Sequence, residues 1–369
     1  MCHLVSCRPG PVGEWADASA GTSGPTTSSR IGGVTIWERP GRQDGPDRRR
    51  LIEMTSLCAQ SSRDREEPLT ATASRVDRWL VVEHRGAWGP ESVPVRRMAR
   101  TAATALAAAA TRARARLVLV RRPHGTPSSD GRWGFAVDSR PGSERVLARH
   151  VADDVELAAL VPPFGDLPAD GWAPVDGPLY LVCTHGRHDR CCALRGRPVA
   201  QALAAHAPER TWECTHIGGD RFAANVVVLP DGLYLGRVEV EEVVRVVTGL
   251  AAGTLPAGRV RGRSSLSLPT QAAQQFARES SGRWGVDDLH PVVQEGAGQD
   301  VWRVVLAGPG GPDVEVVVRY DRTGNGAQSL LTCGALELKT APLFRQVSLT
   351  PVPTPATSTD REPVGRASG

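Results

Sequence analysis

The sequence predicts an α/β (α+β) protein built on a mixed sheet flanked by helices. Three observations carry the prediction. Short apolar runs rich in Val and Leu, bounded by turn residues, recur along the chain as buried strands do. Segments with apolar residues at helical spacing stand between them, such as VEEVVRVVTGLAAG (240–253). A content of 40% hydrophobic and 23% charged residues over 369 positions is that of a globular chain long enough to bury a core.

In chain order, residues 1–53 are rich in Gly, Ser, Thr, Pro and Arg without sustained periodicity. That is the composition of a disordered extension, or of a start assigned too early, with Met54 opening the folded part. The region 54–175 begins with the strand RWLVVEH (78–84). A helix follows over about 95–111, with Pro94 just ahead of it, where a missing amide proton costs nothing. RLVLVRR (116–122), RWGFAVDS (132–139) and RVLARHV (145–151) add strands, and VELAALVPP (155–163) holds a short helix.

The region 176–252 is cleaner. PLYLVCTH (178–185) is a strand, GRPVAQALAAHA (196–207) a helix with Pro198 in its first turn, and RTWECTH (210–216) a second strand. NVVVLP and LYLGRV form a hairpin around Asp231-Gly232, and a closing helix ends in glycine. Strand, helix, strand, strand, strand, helix is the order of a thioredoxin-like domain. Region 54–175 runs in a similar order, and LVVEHRGAWG faintly echoes LVCTHGRHDR, so it reads as a related α/β unit. Region 253–348 reads as a small α+β appendage. It has a helix in TQAAQQFARE, strands VWRVVLAG and DVEVVVRYD, and a third candidate strand, SLLTCGALE. Residues 349–369 read as a disordered tail.

The net charge is only +4, from 44 basic and 40 acidic residues, and Lys339 is the sole lysine. The basic runs Arg121-Arg122 and 259–263 therefore read as solvated surface, with no nucleic-acid partner expected. No segment reaches the roughly 18 to 20 consecutive apolar residues of a membrane span. No signal-peptide pattern opens the chain, so a cytoplasmic protein without a membrane partner is expected. Thiols stay reduced there, and clustered cysteines point to metal or redox chemistry rather than disulfides.

One window, VCTHGRHDRCCALRGRP (182–198), holds three of the eight cysteines and two of the nine histidines. Cys183 ends a strand, and Cys192 follows after eight intervening residues, placed just before a helix. His216 comes after 23 more intervening residues, and IGG separates it from Asp220. Two loops leaving the same edge of a sheet can bring these four groups to one site. Gly218 and Gly219 would let the backbone approach a bulky inorganic group, because glycine has no Cβ.

CTHGRHDRCCALRGRPV followed by HIGGDRFAANVVVLPDGLYLGRV resembles the sucrase/ferredoxin-like family of thioredoxin-like [2Fe-2S] proteins. The resemblance reaches upstream to RWLVVEHRGAWG. It implies a [2Fe-2S] cluster held by two cysteines at C-x8-C and two histidines at H-x3-H. Carried over, the ligands are Cys183, Cys192 and His216, with Asp220 standing where the family has its second histidine. Cys214 is a rival fourth ligand, since on a strand it shares a face with His216. His185, His188 and Cys191 are further candidates. A carboxylate or thiolate in place of imidazole adds negative charge and lowers the potential. A remaining imidazole with an open ring nitrogen would couple electron transfer to pH.

Single-electron transfer to a redox partner protein is the expected function, rather than an enzyme with its own substrate. A thiol-disulfide protein or sensor and a structural zinc protein are the competing readings. No paired-carboxylate sugar-hydrolysis site and no dinucleotide-binding glycine motif is visible. Asn225 would fix the loop carrying GGDRFAA, EHRGAWG (83–89) would cover the cluster or bind a partner, and Cys58 and Cys333 read as plain thiols.

Overall fold

The computed structural model describes residues 28–31, 34–37, 57–90, 98–124, 130–164, 170–326 and 328–352. Contacts divide the chain into two compact units, Met1–Leu51 and Ile52–Gly369. In the first, β1 (Ser28–Ile31) and β2 (Val34–Trp37) form an antiparallel pair. The remainder of the 1–53 segment lies outside the described residues.

The second unit is organised by a ten-stranded mixed sheet in which one topology occurs twice. The first half has β3 (Arg78–Glu83), α2 (Arg100–Arg112), β4 (Ala115–Arg121), β5 (Arg132–Asp138) and β6 (Arg145–Val151). The second has β8 (Leu179–Cys183), α4 (Arg190–His206), β9 (Thr211–Cys214), β10 (Val226–Leu229) and β11 (Leu233–Leu235). In each half the first strand pairs parallel with the second across a helical crossover and antiparallel with the third, which pairs antiparallel with the fourth. The halves meet where β4 runs antiparallel to β9, Val120 opposite Cys214 and Arg121 opposite Glu213. Equivalent strands meeting antiparallel is what two copies related by a two-fold axis produce. The first half carries no cysteine between residues 78 and 151, so only the second repeats the thiol-bearing edge.

Alternation along the strands builds the two faces. Trp79, Val81, Val118, Val120, Leu181, Trp212 and Val227 share one continuous apolar layer. On the opposite face, Leu80, Val82 and Leu119 meet α2 through Ala102, Ala103, Leu106, Ala109 and Ala110, at helical spacing. Tyr180, Val182, Val226 and Val228 meet α4 and α5 (Val243–Ala251). The short helix α3 (Asp154–Ala158) and the strand β7 (Ala173–Pro174) finish the first half.

The remainder is more β-rich than the sequence suggests. β12 (Val260–Arg263) joins the edge of the large sheet beside β11. Helix α6 (Leu268–Ser281), capped by Ser267, packs through Ala272, Ala273 and Ala277 on a four-stranded antiparallel sheet. Its strands are β13 (His290–Gly298), β14 (Val301–Ala307), β15 (Asp313–Asp321) and β18 (Leu343–Val352). SLLTCGALE is not a strand: only Ser329 belongs to one, in β16 (Gln328–Ser329), which pairs with β17 (Lys339–Thr340), and the rest is turn and bend. β18 runs four residues past position 348 before the described residues end.

Three other boundaries differ, each for a local reason. Helix α4 starts at Arg190 because Asp189 caps it, its carboxylate accepting the Cys191 amide at 2.8 Å. Pro198 therefore lies inside the helix and Cys192 in its first turn. Strand β9 stops at Cys214, so His216 sits on a loop and strand alternation does not govern it. The helix expected from 95 begins at Arg100 in α2, and Pro94 lies outside the described residues. Among the described residues no helix is long and apolar enough to cross a membrane.

Candidate metal centre

β8 and β9 are parallel, so their C-terminal ends, Cys183 and Cys214, lie side by side. Two loops leave this edge. One turns into α4, which packs so closely on β8 that a Cβ at Gly196 would fall 2.1 Å from the Cys183 carbonyl oxygen. The other carries His216 to Asp220. The ligating atoms of Cys183, Cys192 and His216 all lie within 4.8 Å of one another, and those of His188, His216 and Asp220 form an overlapping group. Asp220 joins the two: the Cys192 thiol donates to its Oδ1 at 3.1 Å, and His216 Nδ1 lies 2.9 Å from the same oxygen, off the line a hydrogen bond needs.

The pocket splits its two thiols: hydrogen bonding to the Cys183 sulfur, with burial, pushes the Cys192 thiol up and leaves it the proton donor. Hydrogen bonding from the Cys192 thiol holds the Cys183 thiol well below its usual range, helped by His216 and the His185 amide and opposed by burial. The thiolate is the form that binds metals. Burial works against the His216 imidazolium, but Asp220 and the Cys183 sulfur outweigh it and raise His216 to about 9. Burial likewise pushes Asp220 up, but His216 and the Cys192 thiol outweigh it and hold the carboxyl below its usual range. Asp220 is only 3% exposed. A buried carboxylate needs such partners.

The other candidates are placed differently. Cys214 is buried in the apolar layer with Trp212 and Ile217 and is absent from the ligand groups found among the described residues. His185 has both ring nitrogens engaged: Nδ1 accepts the His216 amide at 3.2 Å, and Nε2 donates to the Gly89 carbonyl at 2.6 Å. Trp88 stands edge-on to the same ring, so EHRGAWG packs beside the site through Trp88 and Gly89. His188 stacks on His216 with centroids 3.8 Å apart and reaches within 3.7 Å of Asp220. It is the half-exposed member of the site. Cys191 turns away, as its adjacency to Cys192 requires.

The His216–Gly219 loop is pinned through its carbonyls. Arg116 donates to His216 and Ile217, Ser74 and Tyr234 to Ile217, Arg261 to Gly218, and Asn225 to Gly219. Asn225 thus fixes the loop as its position suggests. Arg261 overturns the reading of 259–263 as solvated surface. It is fully buried, bonded also to Asn225 and Thr72, and burial lowers its pKa to about 10. Its neighbours Arg259 and Arg263 pair with Glu242 and Glu144. The run Arg121-Arg122 is engaged as well, Arg121 with Glu213 and Arg122 over the Trp212 ring at 3.7 Å.

The glycines serve this pinning. A Cβ at Gly218 would meet the Ser74 hydroxyl at 2.6 Å, and one at Gly219 the Arg261 guanidinium at 2.3 Å. Gly219 also has φ +81°. Gly219→Ala is therefore expected to lower stability by roughly 2 to 4 kcal/mol, from left-handed strain plus a clash with a cation that cannot move aside. Urea denaturation of both proteins measures it.

A family model for sucrase/ferredoxin-like proteins matches residues 69–262. No curated protein matches the chain. Among solved structures, a thioredoxin-like [2Fe-2S] ferredoxin from Aquifex aeolicus is similar at 22% identity. The match covers 23% of this chain and 91% of that one, with a TM-score of 0.20. The family match spans both halves of the large sheet and more than half of the sequence: the chain belongs to the sucrase/ferredoxin-like family.

Proposed function

We propose that the protein carries a [2Fe-2S] cluster on Cys183, Cys192, His216 and Asp220 and passes single electrons to and from a redox partner protein. The observation that carries this reading is the convergence of two thiols, an imidazole nitrogen and a buried carboxylate from two loops at one sheet edge. Two soft sulfurs with one nitrogen and one oxygen donor suit iron in such a cluster. Bound there, the cluster supplies a one-electron couple. The chain's own groups set its surroundings: Arg116, Arg261 and Asn225 orient the histidine loop, and Asp189 orients the start of α4. Half-exposed His188, stacked on His216, lies on the route by which a partner would approach.

Visible absorption of protein isolated without air tests this. A brown-red protein that bleaches with dithionite is expected. A colourless protein with stoichiometric zinc at Cys183 and Cys192 would contradict it.

A further inference from the structure

Cys191 and Cys192 are adjacent in the first turn of α4, and their side chains part. Cys192 goes to the site above. Cys191 enters a second group of potential ligands, with Cys58, Cys333 and Asp189. Cys58 opens the helix α1 (Cys58–Asp64), and Cys333 lies in the turn between β16 and β17. Cys58 and Cys333, read from sequence as plain thiols, meet Cys191 here: Cys191 Sγ to Cys333 Sγ is 3.4 Å and Cys333 Sγ to Cys58 Sγ 3.5 Å. These are far beyond the roughly 2.05 Å of a disulfide.

We infer that Cys58, Cys191, Cys333 and Asp189 form a second metal centre, a structural tetrahedral zinc site. Four observations point the same way. With Zn–S near 2.3 Å and Zn–O near 2.0 Å, a tetrahedral ion sets sulfurs about 3.8 Å apart and sulfur and oxygen about 3.5 Å apart. The sulfur contacts above and the 3.6 and 3.7 Å from Cys58 Sγ to the two Asp189 oxygens fall within a few tenths of that. Two backbone amides, Ala59 N and Cys58 N, point at the sulfurs of Cys191 and Cys333 at 3.4 and 3.5 Å, treating them as acceptors. Asp189 is buried, and the amides of Cys191 and Cys333 hold its carboxylate in place at 2.8 and 2.7 Å. Ala59 and Ala223 pack with the buried Cys58 and Cys191, and half-buried Cys333 closes the group on its outer side.

Three thiolates and a carboxylate carry the charge of a four-cysteine zinc site. Their softness excludes calcium and magnesium. Such an ion would join α1, the start of α4 and the C-terminal region, bridging residues 275 positions apart. It would stand directly behind Cys192 and hold that turn of α4 in place. This inference does not depend on the cluster proposed above, because its readout is zinc and not iron.

Metal analysis and zinc-edge X-ray absorption on the full-length chain test it. A Cys183→Ser background takes one thiolate from the first site and weakens any zinc there. In it, about one zinc per chain is expected to survive dialysis against chelator, with a shell of about three sulfurs near 2.3 Å. Adding Cys333→Ser, at a half-buried turn, is expected to cut zinc below about a tenth per chain. In the wild-type background, Cys333→Ser is expected to leave iron content and visible absorption unchanged. The inference is overturned if the Cys183→Ser chain holds no zinc after growth with zinc. It is equally overturned if Cys333→Ser leaves zinc in place, if iron fills the second group, or if anaerobically isolated protein contains a disulfide among these thiols.

Discussion

Cys192→Ser is expected to abolish cluster assembly, cutting iron from about two per chain to less than about a tenth of that. Cys192 lies in the first turn of α4, with its sulfur 3.1 Å from Asp220 and no exposure to solvent. A serine there fits the space but gives no soft anionic donor at neutral pH. The fold should survive, since exchanging buried sulfur for hydroxyl costs on the order of 1 to 3 kcal/mol. Iron analysis beside far-UV circular dichroism checks both halves of the expectation. Cys214→Ala is the control: its sulfur belongs to the apolar layer, so iron content should not change. Normal iron in Cys192→Ser, or iron lost in Cys214→Ala, would move the ligand assignment from α4 to β9.

Asp220→His is expected to raise the reduction potential by on the order of 100 mV. In the proposed centre the carboxylate would contribute a full negative charge next to the metal, and an added electron would be repelled by it. Imidazole in its place leaves the oxidised site near neutral and stabilises the reduced state. Arg261 bears on the same balance, since its buried guanidinium interacts favourably with both Asp220 and Cys183. Redox titration followed by EPR gives the shift. Asp220→Asn separates ligation from charge: it also removes the charge but offers no anionic ligand, so it should lose cluster as well. A potential unchanged in Asp220→His would mean that Asp220 is not bound to iron.

Much of this architecture was legible in the residues. The order of strands and helices in 176–252, the hairpin at Asp231-Gly232 and the meeting of two loops at one edge follow from period-two and period-3.6 patterns, which are local. The faint echo between LVVEHRGAWG and LVCTHGRHDR has its counterpart in the repeated strand order and the β4–β9 junction. The start of α4 carries two signals, since Asp189 is a good N-cap and Pro198 also suits a first turn, and the helix begins at the former.

What was hidden depends on long-range partners. Arg261 looks solvated in an arginine-rich run because its acceptors, the Gly218 and Thr72 carbonyls, leave no mark on the side-chain sequence. Cys58 and Cys333 stand far from Cys191 in the chain, so only the fold brings them together. The one local signal was the doubled cysteine itself, since two adjacent side chains in a helix turn cannot serve one site. β13 leaves little mark in the sequence because most of its residues are exposed, which weakens the alternation typical of a strand.

The most direct test of the cluster assignment is pulsed EPR on the dithionite-reduced, full-length protein. A spin-half signal of a reduced [2Fe-2S] cluster is expected, coupled strongly to a single histidine nitrogen. That coupling should vanish in His216→Cys, and a second nitrogen should join it in Asp220→His. A reduced protein with no cluster signal, or one whose nitrogen coupling survives His216→Cys, would contradict a centre built on Cys183, Cys192, His216 and Asp220.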